Sequence, residues 1–82
     1  MKIKLYGRDT CPDCIRSKRF LEENNIEYEY LDIEKDPKYV EQVLDYNKKL
    51  GRGPIRSVPV IVIDDEKILV EPSNEELNEI FH

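Results

Sequence analysis

The sequence predicts one α/β domain, residues 1–82, in the order β-α-β-α-β-β-α, with a mixed sheet of four strands covered by three helices. Three observations carry this. Strand-type alternation and helix-type spacing take turns along the chain. The run Val58-Pro59-Val60-Ile61-Val62-Ile63 is continuously apolar and β-branched, as a central strand covered on both faces requires. A chain of 82 residues has room for one core, burying about 60–65% of its unfolded surface, and none for a second lobe.

Each element has a local cause. Lys2 to Tyr6 alternates, with Ile3 and Leu5 on one face, and reads as a strand. Gly7 to Thr10 is a loop. Pro12 suits the first turn of a helix, where a missing N–H costs nothing. From Asp13 to Glu23 the spacing puts Cys14, Lys18 and Leu21 on one stripe, with Ile15 and Phe20 beside it, and Asn24-Asn25 stops the helix. Ile26 to Ile33 alternates again and is rich in strand formers. Its pairing with the first strand across a helix is parallel and calls for a right-handed crossover. Asp36 is an N-cap candidate ahead of Pro37. Val40, Val43, Leu44 and Leu50 follow helical spacing until Gly51, Gly53 and Pro54 end the helix. Pro59 must open the next strand, because a proline inside it would remove a ladder bond. Asp64 to Lys67 turns the chain into Ile68-Leu69-Val70, which makes a hairpin. Ser73 and Glu76 form a capping box for a last helix, with Leu77, Ile80 and Phe81 as its apolar face.

Composition narrows the function. There are 13 basic and 18 acidic residues, a net charge of −5, which argues against general nucleic-acid binding. No apolar run approaches the roughly 20 residues of a membrane span. The first residues lack the apolar middle of a signal peptide, so a cytoplasmic, monomeric protein is expected. The five tyrosines fall at apolar strand or helix positions and suit packing better than substrate stacking.

The chemistry gathers at Cys11-Pro12-Asp13-Cys14, between a strand and a helix. Two cysteines are too few for a secreted disulfide scaffold. A sulfur at a helix N-terminus meets unpaired N–H groups and the positive end of the macrodipole, which favour a thiolate. The three-residue offset puts Cys14 on the same face, within disulfide reach. Helix geometry turns the first sulfur outward and covers the second, so attack falls to Cys11 and resolution to Cys14. Arg8, Arg16, Lys18 and Arg19 outnumber Asp9 and Asp13, a basic island on an acidic chain that would attract an anionic thiol or peptide. Asp13 works the other way. A metal site is not expected within one chain: the single histidine is His82, and zinc usually takes four ligands.

With Thr10-Cys11-Pro12-Asp13-Cys14 after a strand, Leu31-Asp32-Ile33 after the second, and Ser57-Val58-Pro59-Val60, nearly the whole chain resembles a glutaredoxin. The resemblance implies a thioredoxin fold, with Cys11 as nucleophile, Cys14 as resolving thiol and Pro59 cis. It places Arg8 as the basic residue before the motif and the Val58 backbone as the pairing site for a bound thiol peptide. Near the end, Leu69-Val70-Glu71-Pro72-Ser73-Asn74 replaces the usual glycine pair. That segment looks more like the mycoredoxins and the glutaredoxin-like electron donors of ribonucleotide reductase, which draw electrons from thioredoxin reductase. Ser73 and Asn74 stand where a thiol's carboxylate would be held.

The expected function is therefore dithiol–disulfide exchange on disulfide-containing proteins. The substrate and thiol-binding residues would be Arg8, Pro12, Val58, Pro59, Ser73 and Asn74. No tightly bound cofactor is expected; the reductant would be a low-molecular-weight thiol, glutathione or another, or thioredoxin reductase. The alternative is a dimer that binds an iron–sulfur cluster through Cys11 and thiol cofactors.

Overall fold

The computed structural model describes residues 1–81; His82, the histidine read above as a terminal residue, lies outside them. The elements are β1 (Ile3–Gly7), α1 (Pro12–Glu23), β2 (Glu29–Asp32), α2 (Pro37–Lys49), β3 (Val60–Ile63), β4 (Lys67–Val70) and α3 (Asn74–Ile80). The sheet order is β2-β1-β3-β4. β1 runs parallel to β2 and antiparallel to β3, and β3 and β4 form the hairpin. The expected mixed sheet and three helices are present. Among the described residues no helix is long and apolar enough to cross a membrane.

Two strands are shorter than their patterns. β1 pairs with β2 only from Lys4 opposite Glu29, so Ile26 to Tyr28 have no ladder partner. Instead the Ile26 N–H closes the end of α1 on Leu21 O, after Asn25 at φ 56°. Likewise Tyr6 opposite Val60 is the last β1–β3 pair, which leaves Val58 and Pro59 ahead of β3.

The helices start as their caps dictate. Asp36 accepts from the Lys38 N–H, and both bonds of the Ser73–Glu76 capping box form. The stripe of α1 differs from its expectation. Its buried residues are Cys14, Ser17 and Leu21, while Ile15 is exposed and Lys18 lies flat over the Tyr30 ring, 4.1 Å from its centroid. At 100° per residue, Ser17 and Lys18 lie equally far on opposite sides of the line from Cys14 to Leu21, so spacing alone does not choose between them, and the helix buries the Ser17 side. Leu50 is also exposed, because α2 ends before it at Lys49.

The sheet separates two apolar clusters. Ile3, Leu5, Ile61 and Ile63 meet Leu21 of α1 and Leu77 of α3. Tyr6, Leu31, Val60 and Val62 meet Val43 of α2, together with Cys14 and Val58. The alternation along β1 and β3 produces this division, since neighbouring residues face opposite sides. Tyr6 is buried and packs against Tyr39 and Tyr46 of α2, with its hydroxyl donating to Gln42 Oε1 at 2.7 Å.

Candidate active site

The first turn of α1 carries the two sulfurs to the edge of the α2-side cluster. Cys11 is the N-cap in extended geometry, half-buried, with no side-chain bond into the first turn. Its N–H donates to Arg8 O and its carbonyl accepts from Ile15 N–H, so the backbone on both sides is fixed. Cys14 is fully buried, and both cysteines are free thiols.

Cys14 fits because of Gly7. A Cβ on that glycine would stand 2.8 Å from Cys14 Sγ and 3.1 Å from its Cβ, inside van der Waals contact. Burial pushes the Cys14 thiol up to about 12. The Arg8 backbone N–H facing the sulfur opposes this, and the adjacent Cys11 sulfur adds to it. Cys14 therefore remains a protonated, shielded thiol at neutral pH.

Pro12 occupies N1 and is exposed. Asp13 pairs with Arg16 at 3.1 Å, and both side chains are nearly half exposed. An exposed pair of this kind is worth little energy. With Lys18 on Tyr30, two members of the basic island expected from the sequence, Arg16 and Lys18, are engaged within α1 and its neighbours.

The free positive charge near the sulfurs comes from Arg8 of that island and from Arg56. A cleft of about 450 Å³ is lined by Arg8, Ile33, Glu34, Val40, Arg56 and Val58. Val58 shares an apolar cluster with Cys11, and the Cys11 N–H donates to Arg8 O, so the cleft lies against the segment that carries the nucleophile position. Among the described residues neither Arg8 nor Arg56 forms an ion pair. The Val58–Pro59 peptide is cis. The structure thus brings together Cys11, Cys14, Arg8, Val58 and Pro59.

Ser73 and Asn74 are placed differently. The Ser73 hydroxyl accepts from the Glu76 N–H and closes the capping box. Asn74 lines a separate groove of about 280 Å³ with Pro12, Arg16, Arg19 and Phe20, at the side of α1. Two residues escaped the sequence reading. Arg56 lies two positions before Val58, the same-side spacing of an extended strand, which was a usable signal. Asn47 is fully buried four residues after Val43, a polar residue on the core stripe of α2. Among the described residues no three His, Cys, Asp or Glu side chains cluster as metal ligands would.

Comparison with known proteins gives a consistent picture. Residues 3–68 match the Glutaredoxin family model. The chain is 34% identical over 67 residues to a glutaredoxin-like 8.6 kDa protein in the rubredoxin operon of Clostridium pasteurianum, covering 82% of this chain and 81% of that one. It is 32% identical over 73 residues to glutaredoxin 1 of Escherichia coli, covering 83% and 81%. The crystal structure of the thioredoxin-like protein BC3987 superposes with a TM-score of 0.78 at 32% identity, over 96% of this chain and 99% of that one.

Proposed function

The chain belongs to the glutaredoxin family of thiol–disulfide oxidoreductases, and on that premise we propose that it reduces protein disulfides or mixed disulfides through Cys11 and Cys14. The observation that carries this is the contrast between the two sulfurs. One sits at a helix start beside an open cleft, and the other is fully buried behind it.

The sequence of bonds follows from that contrast. The Cys11 thiolate attacks one sulfur of the substrate disulfide, the S–S bond breaks, and the leaving thiolate takes a proton. Cys11 is then held in a mixed disulfide. Its sulfur no longer contributes to holding the Cys14 proton, which favours the second attack. Cys14 displaces the remaining substrate thiol and closes the Cys11–Cys14 disulfide. Two electrons have passed to the substrate, and two from an external thiol or a flavin reductase restore the dithiol.

The cleft supplies the docking surface in this proposal. An extended substrate segment pairs with the Val58 backbone over Ile33 and Val40, with Arg8 and Arg56 at its rim. Substrates with a carboxylate next to the reactive cysteine are favoured by these two charges, which outnumber the one carboxylate of Glu34 in the cleft.

The test is NADPH consumption with a peptide mixed disulfide. One arm contains glutathione and glutathione reductase, the other thioredoxin reductase. Turnover in the first arm identifies a low-molecular-weight thiol as reductant. Turnover only in the second identifies direct reduction by the flavin enzyme. Silence in both arms excludes glutathione and thioredoxin reductase as the reductants and points to another thiol or to the cluster-binding alternative.

A further inference from the structure

Asn47 is the buried polar group on the α2 side that the exchange reaction does not use. It is fully buried, and its Nδ2 donates to Val43 O at 3.0 Å and to Ser57 O at 3.3 Å. Both partners are carbonyls, which only accept, so the amide nitrogen must face them. The other end of the amide, Oδ1, has no partner. An apolar side chain of the same shape would fill this space without burying an unpaired acceptor. Packing therefore does not account for an amide here, whereas the bond to Ser57 does.

The value of that bond lies one atom further along the chain. Among the described residues the Val58–Pro59 bond is the cis peptide, so the Ser57–Val58 peptide is trans. In a planar trans peptide the C=O and N–H point in opposite directions. Holding Ser57 C=O on Asn47 turns the Val58 N–H away from Asn47. That N–H donates to no backbone carbonyl among the described residues, and Val58 lines the cleft beside Cys11. A fixed, unpaired N–H is what an extended substrate backbone needs as its partner.

We infer that Asn47 is a positioning residue: through Ser57 O it sets the direction of the Val58 N–H that receives the substrate backbone. This rests on the docking mode proposed above. Neither Asn47 nor Ser57 carries a reacting atom, so the bond acts on binding and not on the exchange step.

Two variants of the full chain test it. In Asn47→Ser the hydroxyl can still bond back to Val43 O, one helical turn away, but is too short for Ser57. Asn47→Leu removes both bonds while keeping the branched shape of the side chain. Each is expected to raise KM for a peptide mixed disulfide about five- to tenfold, the size of one hydrogen bond, with kcat within twofold. Each is also made in a Cys14→Ser background, where the peptide stays bound to Cys11, and amide exchange at Val58 is followed by NMR. With Asn47 present, Val58 gains protection in the trapped adduct; in both variants that gain is lost. Unchanged KM and undiminished protection in the variants would overturn the role of Asn47. No protection of Val58 in the adduct that retains Asn47 would overturn the docking mode itself. If Asn47→Leu melts well below the parent, Asn47→Ser, which keeps the helix bond, decides the question.

Discussion

Behind the sheet, Ile3, Leu5, Ile61 and Ile63 close against Leu21 and Leu77, and the helix that supplies Leu77 is pinned by its own capping box. On the α2 side, residues of the same strands pack against a thiol, a tyrosine bonded to Gln42 and a buried asparagine with an unpaired oxygen. The first face is closed by apolar side chains, and the one unpaired polar group that α1 buries among the described residues, the Ser17 hydroxyl, is small. The second holds polar groups whose burial costs stability unless they are bonded. Cys11, Cys14 and Val58 belong to the second face, and in the proposed mechanism its compromises are the ones that fix a sulfur and a peptide N–H in place. Stability and chemistry are therefore separable by substitution.

The largest expected effect is on chemistry alone. Cys11→Ser removes the nucleophile and should abolish disulfide reduction while leaving the melting temperature within a few degrees, since the side chain is half exposed and the change nearly isosteric. Turnover and thermal unfolding of one preparation check both halves. The converse is Leu21→Ala, which opens a cavity in the plain face. It should cost about 2–5 kcal/mol by denaturant unfolding and leave KM unchanged in the protein that remains folded.

A third expectation concerns pH. The folded Cys14 thiol is pushed up to about 12 from an ordinary value of 9.0, so the folded state keeps a proton that the unfolded chain loses. Its contribution to stability is complete below the ordinary value and is lost as pH rises from there towards about 12. The slope reaches at most about 1.4 kcal/mol per pH unit. Unfolding free energies at rising alkaline pH should fall more steeply for the parent than for Cys14→Ser, in which the tyrosines still titrate.

Gly7→Ala probes the join between the sulfurs and the sheet. Its Cβ would press on Cys14 from 2.8 Å, and the overpacking should cost about 1–3 kcal/mol and slow resolution of the mixed disulfide. Ser73→Ala is the smallest. Loss of the cap should cost about 1 kcal/mol in thermal unfolding, with turnover unchanged if Ser73 serves α3 alone.

The sequence made much of this legible where local chemistry decides. The helix starts at Pro12, Asp36 and Ser73 follow from caps and proline placement, and the CxxC pair from its position between strand and helix. The strand ends were not legible, because Ile26 to Tyr28 carry a strand pattern and lack only a partner. Lys18 and Ile15 were misplaced because a helix stripe read from spacing alone cannot tell a small buried Ser17 from its larger neighbours. The cleft was half legible: Arg8 follows from its place before the motif, whereas Arg56 and Asn47 matter only once α2 and the segment before β3 are brought together. Ser73 carried two readings in the sequence, a cap and a thiol-binding residue, and the structure shows the cap.

The most direct measurement is mass-spectrometric localisation of the adduct formed with a peptide disulfide at neutral pH, in Cys14→Ser and in Cys11→Ser. The account predicts one adduct per chain on Cys11 in the first variant and none in the second, where the remaining sulfur is buried and protonated. An adduct on Cys14 in the second variant, forming as fast as that on Cys11 in the first, would contradict it.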